Sequence, residues 1–468
     1  MATTVLLAGN ATYVGGNGDY IITDNLSGTD TASSVGSNSI TLGNGIDQVT
    51  LGSGGSNTIV IGGASDPSSD TLMIGGASNS ITVNGSGNNQ VTTVGGSNTI
   101  VVGSGSNTIR LGEAAGGSPD TLTTAAGGNI VFVSAAAITG DTLNGAMISG
   151  DGTTNRLVLT AAGTMSPVGV SGFASWKLAN GGPNSLTLSE GNFVRLPGGR
   201  ITITGGNSGN TINAAALSSA AHSVKIVGGL GTDVLTGGAG NDMFMFSVAN
   251  LSNSDTVNGG SGTNYLSMTS AGTVNAGGVS GVEGYVLAST GANILALTNA
   301  NFANVAGEAI HVYGGAAGNT VDDSAVTGTN KLIFTGGAGN DIIVAGSTTI
   351  MTGGAGANQF TFAHIGYNVI TDFAASASNE IVLRKSGFNL GIDENLANGS
   401  PQHLTASVFV ASPTGAFTSV NQRFAYNMTT GALRYAAYGS GSGSRSIVGL
   451  TGHPTLGAGL AGHVFFTL

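Results

Sequence analysis

Apolar and polar residues alternate with a period of two in short segments between residues 36 and 111. Successive side chains of a strand point to opposite faces, so Ile100 would lie on one face and Thr99 and Val101 on the other. The segments are too short for helices, and Gly, Ser and Asn separate them. The pattern predicts a series of short strands, each with one buried and one exposed face. Arg110, the first basic residue of the chain, falls on the predicted exposed face.

The strand pattern itself recurs along the chain. The first apolar residue of each segment returns every nine or ten residues, apart from one longer interval. This nonapeptide period predicts an all-β fold, a parallel β-solenoid (β-roll or β-helix) in which each coil stacks on the next. With two strands, or about 18 residues, in each coil, roughly the first 360 residues would form about 20 turns. The recurring positions are Ile40, Val49, Ile59, Leu72, Ile81, Val91, Ile100 and Ile109.

Asn or Asp stands at the same position of each segment. Asn predominates there, which predicts a ladder of stacked amides inside the solenoid in place of a row of bound ions. The positions concerned are Asn38, Asp47, Asn57, Asp70, Asn79, Asn98 and Asn107.

A second, glycine-rich repeat occupies residues 228–246. It reads GGLGTDVLT followed by GGAGNDMFM, and a further copy, GGAGNDIIV, begins at Gly336. Weaker copies begin at Gly259 and Gly353 and carry Asn264 and Asn358 where the carboxylate would stand. The glycines favour a tight turn that brings carbonyl oxygens together, and the Asp adds a carboxylate. An all-oxygen site of this kind suits a hard cation such as Ca²⁺.

The sequence therefore predicts calcium-binding turns after residues 227, 236, 335 and 352. A cation held by Asp341 would also contact the Gly353 turn, because 17 residues separate Gly336 from Gly353 and this spacing is close to one coil. The candidate ligands are Gly228, Gly229, Gly231, Asp233, Gly237, Gly238, Gly240, Asp242, Gly336, Gly337, Gly339, Asp341, Gly353, Gly354 and Gly356.

The glycine-rich nonapeptides resemble those of the RTX (repeats-in-toxin) family of secreted bacterial proteins. Residues 369–468 are similar to the carboxy-terminal region of RTX proteins exported by type I secretion, including a Tyr-x-x-x-x-Gly-x-Leu-x-Tyr hairpin at residues 426–435. The resemblance implies calcium binding, a small β-rich secretion region and export without an amino-terminal signal. The composition, rich in Gly, Ala, Thr and Asn, also resembles bacterial surface-layer proteins of this group.

Longer segments are duplicated with an offset of 109 residues. GVSGFASWKL at residues 169–178 matches GVSGVEGYVL at residues 278–287, and two downstream pairs share the offset. The duplication predicts an Asn-rich solenoid over residues 1–135, a first calcium-type module over 136–250, its copy over 251–366, and a carboxy-terminal region over 367–468.

Composition narrows the possible environments and partners. The net charge is −11 and the chain has no cysteine, so disulfides and Cys-ligated metals are excluded and nucleic-acid binding is not expected. The first residues lack the basic and long apolar regions of a signal peptide, and no apolar run is long enough to span a membrane. We expect an extracellular or cell-surface protein exported without an amino-terminal signal peptide.

Catalytic motifs are missing from the sequence. The six histidines show no HExxH spacing, and no Gly-x-Ser-x-Gly segment occurs. Asp322 and Asp323 are interpreted as a solvated turn, because the earlier copy of their segment lacks both acids. Trp176, which aligns with Tyr285, is interpreted as a packing aromatic. The chain is therefore not expected to be an enzyme.

The leading functional hypothesis is a secreted, calcium-binding structural protein that assembles with itself into a surface layer, filament or matrix. Unpaired strand edges at the coil ends and uncharged outer positions favour this reading. A cell-surface polysaccharide is a second candidate partner. The alternative is an adhesin or another surface-binding solenoid, with ice or a glycan as its ligand, although Gln48, Met73 and Arg110 interrupt the outward Thr rows. A polysaccharide-active enzyme is the third alternative.

Overall fold

The protein is a β-solenoid. The computed structural model describes residues 3–6, 12–17, 20–23, 30–112, 119–138, 141–144, 155–376, 378–388, 402–404, 407–439, 441, 443–454 and 464–467. The fold is nearly all β, and its stacked parallel sheets form about 15 turns, so the predicted fold class is confirmed. The chain folds as two compact units, Met1–Asn241 (unit 1) and Asp242–Leu468 (unit 2). Residues 389–401 and 455–463 of the predicted carboxy-terminal region lie outside the described residues.

Unit 1 contains three parallel sheets in its described part. Sheet A consists of β1 (Thr3–Leu6), β3 (Tyr20–Thr23), β5 (Asn38–Leu42), β7 (Ser56–Ile61), β9 (Ser78–Val83), β11 (Ser97–Val102), β13 (Thr121–Thr124), β15 (Thr142–Asn144) and β18 (Val170–Ser171). Sheet B consists of β2 (Thr12–Asn17), β4 (Thr31–Val35), β6 (Gln48–Leu51), β8 (Thr71–Gly75), β10 (Gln90–Val94), β12 (Thr108–Arg110), β14 (Ile130–Val133), β16 (Arg156–Leu159), β19 (Ser175–Lys177), β21 (Arg200–Thr204) and β23 (Ser223–Val227). Sheet C consists of β17 (Thr164–Met165), β20 (Asn184–Thr187), β22 (Asn210–Asn213) and β24 (Val234–Thr236). The short helix α1 (Ala135–Ile138) and a 3₁₀ helix, Glu190–Phe193, occupy corners between strands.

Unit 2 repeats the stacked arrangement. Its first sheet consists of β25 (Met243–Phe246), β27 (Tyr265–Met268), β30 (Gly284–Val286), β32 (Ala309–Tyr313), β34 (Lys331–Thr335), β36 (Thr349–Thr352), β38 (Asn368–Ile370), β41 (Phe409–Ser412), β42 (Phe424–Asn427), β43 (Ala432–Tyr435) and β44 (Arg445–Leu450). Its second sheet consists of β28 (Thr273–Val274), β31 (Asn293–Thr298), β33 (Asn319–Ala325), β35 (Ile342–Ala345), β37 (Gln359–Phe362), β39 (Glu380–Arg384), β40 (Gln402–His403) and β45 (Val464–Thr467). β26 (Thr256–Asn258) pairs with β29 (Val279–Ser280). The 3₁₀ helices are Asn299–Phe302, Ala306–Glu308 and Phe373–Ala375.

Inward side chains of successive coils stack into the core, as the period-two pattern predicts. In sheet A, Ile59 pairs with Ile81 and Ile81 with Ile100, and all three are fully buried. Burying aliphatic side chains of this size contributes roughly 1.5–3 kcal/mol each. Arg110 points outward as predicted, and its guanidinium carbon lies 4.0 Å from the ring centroid of its cross-strand neighbour Phe132.

The coils are longer than the sequence period suggests. Equivalent residues of adjacent coils are hydrogen-bonded at sequence separations from 17 residues (Asp30 N–H to Asp47) to 26 residues (Asn129 amide to Asn155). The repeat predicts a separation of 18. The extra residues lie in the corners, where they do not disturb the strand ladder. The chain therefore forms about 15 turns, and the prediction of about 20 is wrong.

The duplicated modules agree down to single hydrogen bonds. In unit 1, Asn192 Nδ2 donates to the carbonyls of Pro167 and Val170 at 2.6 and 2.8 Å. In unit 2, the amide of Asn301, 109 residues later, donates to the carbonyls of Ala276 and Val279 at 2.7 and 3.0 Å. The duplication is therefore structural. The aligned aromatics, Trp176 and Tyr285, are each 1% exposed, which confirms the packing role predicted for Trp176.

The end of unit 2 departs from the parallel pattern. β42 pairs antiparallel with β43 through a turn that contains Gly431, whose φ is 72°, and β43 pairs antiparallel with β44. A positive φ of this size favours Gly. The hairpin predicted over residues 426–435 is confirmed. β44 then pairs in parallel with β38, so this segment extends the first sheet of unit 2.

Candidate functional site

The Asn and Asp positions of unit 1 form two buried ladders. In each ladder, an Asn side-chain amide donates to the side-chain oxygen of the next coil, at 2.7 Å from Asn79 to Asn98 and at 2.8 Å from Asn107 to Asn129. The predicted amide ladder is confirmed, but it divides in two because alternate strands belong to opposite sheets. One ladder contains Asn38, Asn57, Asn79, Asn98, Asp120 and Asp141, and the other contains Asp30, Asp47, Asp70, Asn89, Asn107, Asn129 and Asn155.

The first glycine-rich turn contributes Asp233 to a third ladder of the same kind. Asn184 donates to Asn210 at 3.0 Å, and the backbone N–H and amide of Asn210 both donate to Asp233 Oδ1 at 2.8 Å. The Gly228 turn stacks on the turn of the preceding coil, where a Cβ on Gly229 would overlap the carbonyl of Gly206. Asp233 is fully buried, and its Oδ1 already serves as an amide acceptor. The structure thus places Asp233 in an amide ladder.

The residues of the second glycine-rich turn, which begins at Gly237, contact other parts of the chain than those of the Gly228 turn. In unit 1, Gly238 lies against Leu217, and a Cβ on Gly240 would overlap the carbonyl of His222. In unit 2, the N–H of Asp242 donates to Asn264 Oδ1 at 3.0 Å, and the N–H of Asn264 donates to Glu283 Oε2 at 2.6 Å. The glycine-rich motif did not indicate Glu283, because it comes from the following coil and its counterpart in the duplicated segment is Ala174.

The Gly336 and Gly353 turns lie on adjacent coils, as their spacing predicts. The N–H of Asp341 donates to Asn358 Oδ1 at 2.9 Å, and the N–H of Ala355 donates to the carbonyl of Gly337 at 3.1 Å. Gly354 and Gly356 have φ values of 80° and 103°, so this turn requires glycine for its backbone conformation. In the Gly336 turn the need is space, because a Cβ on Gly337 or Gly339 would overlap the coil beneath.

Asp341 is the carboxylate of this double turn. Its Oδ1 accepts the backbone N–H and the amide of Asn319, at 2.7 and 2.8 Å. Its Oδ2 has no hydrogen-bond partner among the described residues, although the side chain is fully buried. A Cβ on Gly336 would overlap both this Oδ2 and the carbonyl oxygen of Gly353. Two oxygens from adjacent coils therefore lie close together beside the Cα of Gly336, which a side chain at this position would displace.

The electrostatics of Asp341 favour a cation beside it. Desolvation by burial raises the pKa of Asp341, and the hydrogen bonds from Asn319 only partly oppose this rise. A buried carboxylate with an oxygen lacking a donor is stabilised by a proton or by a metal ion. Glycine carbonyls and a carboxylate are hard oxygen ligands, so Asp341 and Gly353 fit a calcium ion. Within the described ranges, no three Asp, Glu or His side chains come together to hold a metal, so such a site would depend on one carboxylate and backbone carbonyls.

A second carboxylate fixes the Gly353 turn. Asp372 Oδ1 accepts the N–H of Gly353 at 2.9 Å, and its Oδ2 accepts the N–H of Gly354 at 2.7 Å. These bonds hold the Gly353 peptide beside Asp341. The Asp-Phe pair at residues 372–373 marks this residue in the sequence, but only the coil geometry shows which turn it contacts.

The interpretation of Asp322 and Asp323 as a solvated turn is wrong. Asp323 lies inside β33 and is fully buried, with Thr349 Oγ1 donating to its Oδ2 at 2.8 Å. Burial raises the pKa of Asp323 to about 7, while the hydrogen bonds from Thr349 and Gly346 act in the opposite direction. The strand alternation continues through Asp323, which therefore points inward with Val321.

A surface groove of about 660 Å³ lies in unit 2. Tyr367, at its edge, is 85% exposed, and Arg445 and Ser446 are also exposed. An exposed aromatic ring beside a cation and a hydroxyl gives the groove mixed apolar and polar contacts of the kind found in ligand sites. The other lining residues are Gly328, Ser347, Ile365 and Gly366.

Comparisons with known proteins found no matching family model, no similar curated protein and no similar solved structure. The resemblance to the RTX family therefore remains a prediction from the repeat motifs. None of the helices in the described part of the chain has the length and apolar character needed to span a membrane.

Proposed function

We propose that this protein is an extracellular or cell-surface structural protein that binds calcium and assembles with copies of itself into a surface layer, filament or matrix. The observation that carries the calcium proposal is the buried Oδ2 of Asp341, which has no hydrogen-bond partner among the described residues and lies, like the Gly353 carbonyl oxygen, beside Gly336. A hard cation bound to both oxygens would satisfy them. Asp341, Gly336, Gly337, Gly353 and Gly354 are the residues best placed to form the site.

The small negative charge of this site favours weak calcium binding, at the calcium concentrations found outside the cell. Calcium affinity rises with the number of carboxylate ligands, and this site offers only Asp341. Extracellular calcium modules bind with dissociation constants of about 10⁻⁴–10⁻³ M. A site of that strength would stay empty in a cytosol with little free calcium and fill outside, where folding and calcium binding would then be coupled.

Self-assembly is supported by the strand edges of unit 1. Within the described residues, β1 pairs only with β3 and β2 only with β4. Their other edges present backbone N–H and C=O groups that a second copy can pair with. Leu6 of β1 is 80% exposed, so an added strand would also cover an apolar side chain.

A cell-surface polysaccharide is the second proposed partner, and the groove at Tyr367 and Arg445 is the surface that suits it best. The sugar rings would stack on the Tyr367 ring, and Arg445 would contact hydroxyl or acidic groups. Loss of polysaccharide binding in Tyr367→Ala, with retained binding in Tyr438→Ala, would support this assignment. Tyr438 is a suitable control because it is 91% exposed and does not line the groove.

Calcium binding can be tested by thermal unfolding and calorimetric titration of three proteins: wild type, Asp341→Asn and Asp322→Asn. Asp341→Asn keeps an acceptor for Asn319 and removes the charge, while Asp322 is half-buried and lies outside the turns. We expect calcium to stabilise wild type and Asp322→Asn, by about 2.7 kcal/mol at 100 times the dissociation constant, and to stabilise Asp341→Asn far less. An equal calcium response in all three proteins would contradict the site.

Assembly needs a separate test, because calcium binding and self-association can fail independently. Electron microscopy and sedimentation of the purified protein at millimolar calcium should show ordered sheets or filaments. Leu6→Lys should reduce them, because a charge at an edge strand opposes pairing. Particles that remain monomeric at millimolar calcium would overturn the assembly proposal and leave the calcium site untouched.

A further inference from the structure

The outward face of sheet A carries rows of small, uncharged side chains. Between β5 and β13 each strand contributes its outward residues in strict register, with no bulge in the pairings. All residues of these rows between Ser39 and Thr123 are Ser, Thr or Val, and they are half-buried or exposed. One row contains Ser39, Thr58, Ser80, Thr99 and Thr121, the second contains Thr41, Val60, Thr82, Val101 and Thr123, and a shorter third row contains Ser56, Ser78 and Ser97.

The interruptions expected in these rows are absent from this face. Gln48 and Met73 lie in β6 and β8, and Arg110 lies in β12, and all three strands belong to sheet B. Successive strands in the sequence alternate between sheets A and B. In the sequence their outward residues therefore form one series, whereas in the fold they lie on two different faces. The three residues therefore interrupt the outward rows of sheet B and leave the outward Thr rows of sheet A continuous.

Physical spacing makes this face a regular two-dimensional lattice. Neighbouring strands lie about 4.8 Å apart, and alternate residues of one strand lie about 6.8 Å apart. Thr and Val are stiff at χ1, so their methyl and hydroxyl groups repeat with little variation from strand to strand. The buried ladder from Asn38 to Asp120 fixes the register beneath the face. The face thus presents hydroxyl and methyl groups at fixed intervals in two directions.

We propose that the sheet A face, built on Ser39, Thr58, Thr99 and Thr121, binds ice. The two spacings are close to the repeats of oxygen atoms in a prism plane of hexagonal ice. Hydroxyl groups can donate to and accept from lattice waters, and the methyl groups between them order water without competing for it. Charged side chains, which would hold their own hydration shells, do not occur in these rows.

The size of the face favours an extended solid over a second copy of the chain. The 13 positions of these rows, each about 4.8 by 6.8 Å, cover on the order of 400 Å². A stable dimer buries about 800 Å² on each partner. An ice surface has no such limit, because every site of the face meets the same repeating lattice. This proposal rests on unit 1 and does not depend on the calcium site of unit 2.

The test compares one exposed Thr on each sheet of the full-length protein. Thr99→Tyr places a bulky ring in the middle of the sheet A face, and Thr71→Tyr places the same ring on exposed β8 of sheet B. Wild type and Thr71→Tyr should concentrate in slowly growing ice and show thermal hysteresis. Thr99→Tyr should lose both properties while its circular dichroism spectrum stays unchanged. Thr121→Tyr serves as a second variant of the face if Thr99→Tyr does not fold.

Three results would overturn the proposal. Growing ice could exclude the wild-type protein as it excludes an ordinary solute, or Thr71→Tyr could lose ice binding as completely as Thr99→Tyr. The third result is that the wild-type protein shows no ice binding but forms oligomers or binds a crystalline polysaccharide, and that Thr99→Tyr abolishes this association. That result would assign the face to a second copy or to a glycan lattice instead.

Discussion

The backbone N–H of Asp47 donates a hydrogen bond to Oδ1 of Asp70 at 3.0 Å, which places two carboxylates on adjacent coils of one ladder. Each side chain is 1% exposed, and Oδ2 of each has no hydrogen-bond partner among the described residues. From Asn89 onward in this ladder, an Asn amide donates to the next coil. A carboxylate lacks that donor, so a bound proton is the group that can replace it.

We predict that Asp47 makes the protein less stable as the pH rises. Burial, followed by the charge of Asp70 and then those of Asp30 and Asp66, raises the pKa of Asp47 to about 7, and burial and Asp66 raise that of Asp70 to about 6. Because the unfolded value is about 3.9, the folded state holds the proton more tightly. The stabilisation is complete below pH ~4 and is lost as the pH passes through about 7.

Asp47→Asn tests this prediction by removing the charge. Thermal unfolding should show a gain of about 2 kcal/mol at pH 8.5, after an allowance for partial screening, and little change at pH ~4. The reverse change in the same ladder, Asn107→Asp, should destabilise the protein at pH 8.5 and much less at pH ~4. A pH-independent effect of either variant would contradict the explanation that the folded protein holds a proton on these buried carboxylates.

The amide ladder should contribute more to stability than any outward residue of the same strands. Asn79 accepts from Asn57 at 2.7 Å and donates to Asn98 at 2.7 Å, so Asn79→Leu removes two buried hydrogen bonds. Asn98 Oδ1 loses its donor, while Asn57 Nδ2 keeps its 3.0 Å bond to the Gly75 carbonyl. We expect a loss of about 2–3 kcal/mol, measured by denaturant titration. Ser80→Ala, one residue along β9 and exposed, should change stability by less than about 0.5 kcal/mol. Equal effects of the two variants would show that the ladder is not a main source of stability.

Local pattern predicted much of this fold and a smaller part of the candidate site. The nine-residue period predicted coils, strands and the Asn ladder, because each coil repeats the same local interactions. It did not predict which strands share a sheet, since that depends on the corners, whose length varies without any change in the strand pattern. The pattern therefore placed Gln48, Met73 and Arg110 outward correctly but did not show that they lie on sheet B, away from the rows of sheet A.

The candidate site shows the same limit. The 17-residue spacing predicted that the Asp341 and Gly353 turns stack, and they do. Asp372, which fixes the Gly353 turn, comes from the following coil and carries no repeat motif. Asp323 was misread because a pair of acids usually marks a turn, whereas here the alternation of β33 carries one of them into the core. Only the inward position of Val321 two residues earlier could have indicated its burial.

Asp323 should act as a second, independent pH-sensitive group. Its pKa of about 7, raised mainly by burial and also by Asp322, means that the folded state favours the neutral acid. Stability from this group is complete below pH ~4 and is lost as the pH rises through about 7, a change on the order of 4 kcal/mol. Asp323→Asn should therefore raise the unfolding free energy at pH 8.5 and leave it nearly unchanged at pH ~4. Asp322→Asn, which is half-buried, should show a smaller dependence on pH if burial is the cause.

The two copies of the duplicated module predict the role of Glu190. Its Oε1 accepts the N–H groups of Ser218 and Ser219 at 2.6 and 2.9 Å, and its Oε2 pairs with His222. In the second copy, the neutral Asn299 performs the same task, accepting the N–H of Thr327 at 2.9 Å. In both copies a side-chain oxygen of one corner accepts a backbone N–H of the next corner. Because the second copy does so without a charge, we infer that hydrogen bonding contributes more to stability here than charge does.

Glu190→Gln keeps the acceptor and should change stability at pH 7 by less than about 1 kcal/mol, since the ion pair is partly exposed, whereas Glu190→Ala should lose more. Burial raises the pKa of Glu190, but the hydrogen bonds from His222, Ser219 and Ser218 together outweigh it and lower the value to about 2. The stability that the charged form provides is present above pH ~4.5 and is lost as the pH falls through about 2. Thermal unfolding between these limits should show that dependence in wild type and a weaker one in Glu190→Gln. If Glu190→Gln were as damaging at pH 7 as Glu190→Ala, the charge of the pair would be the stabilising feature, and the parallel with Asn299 would not hold.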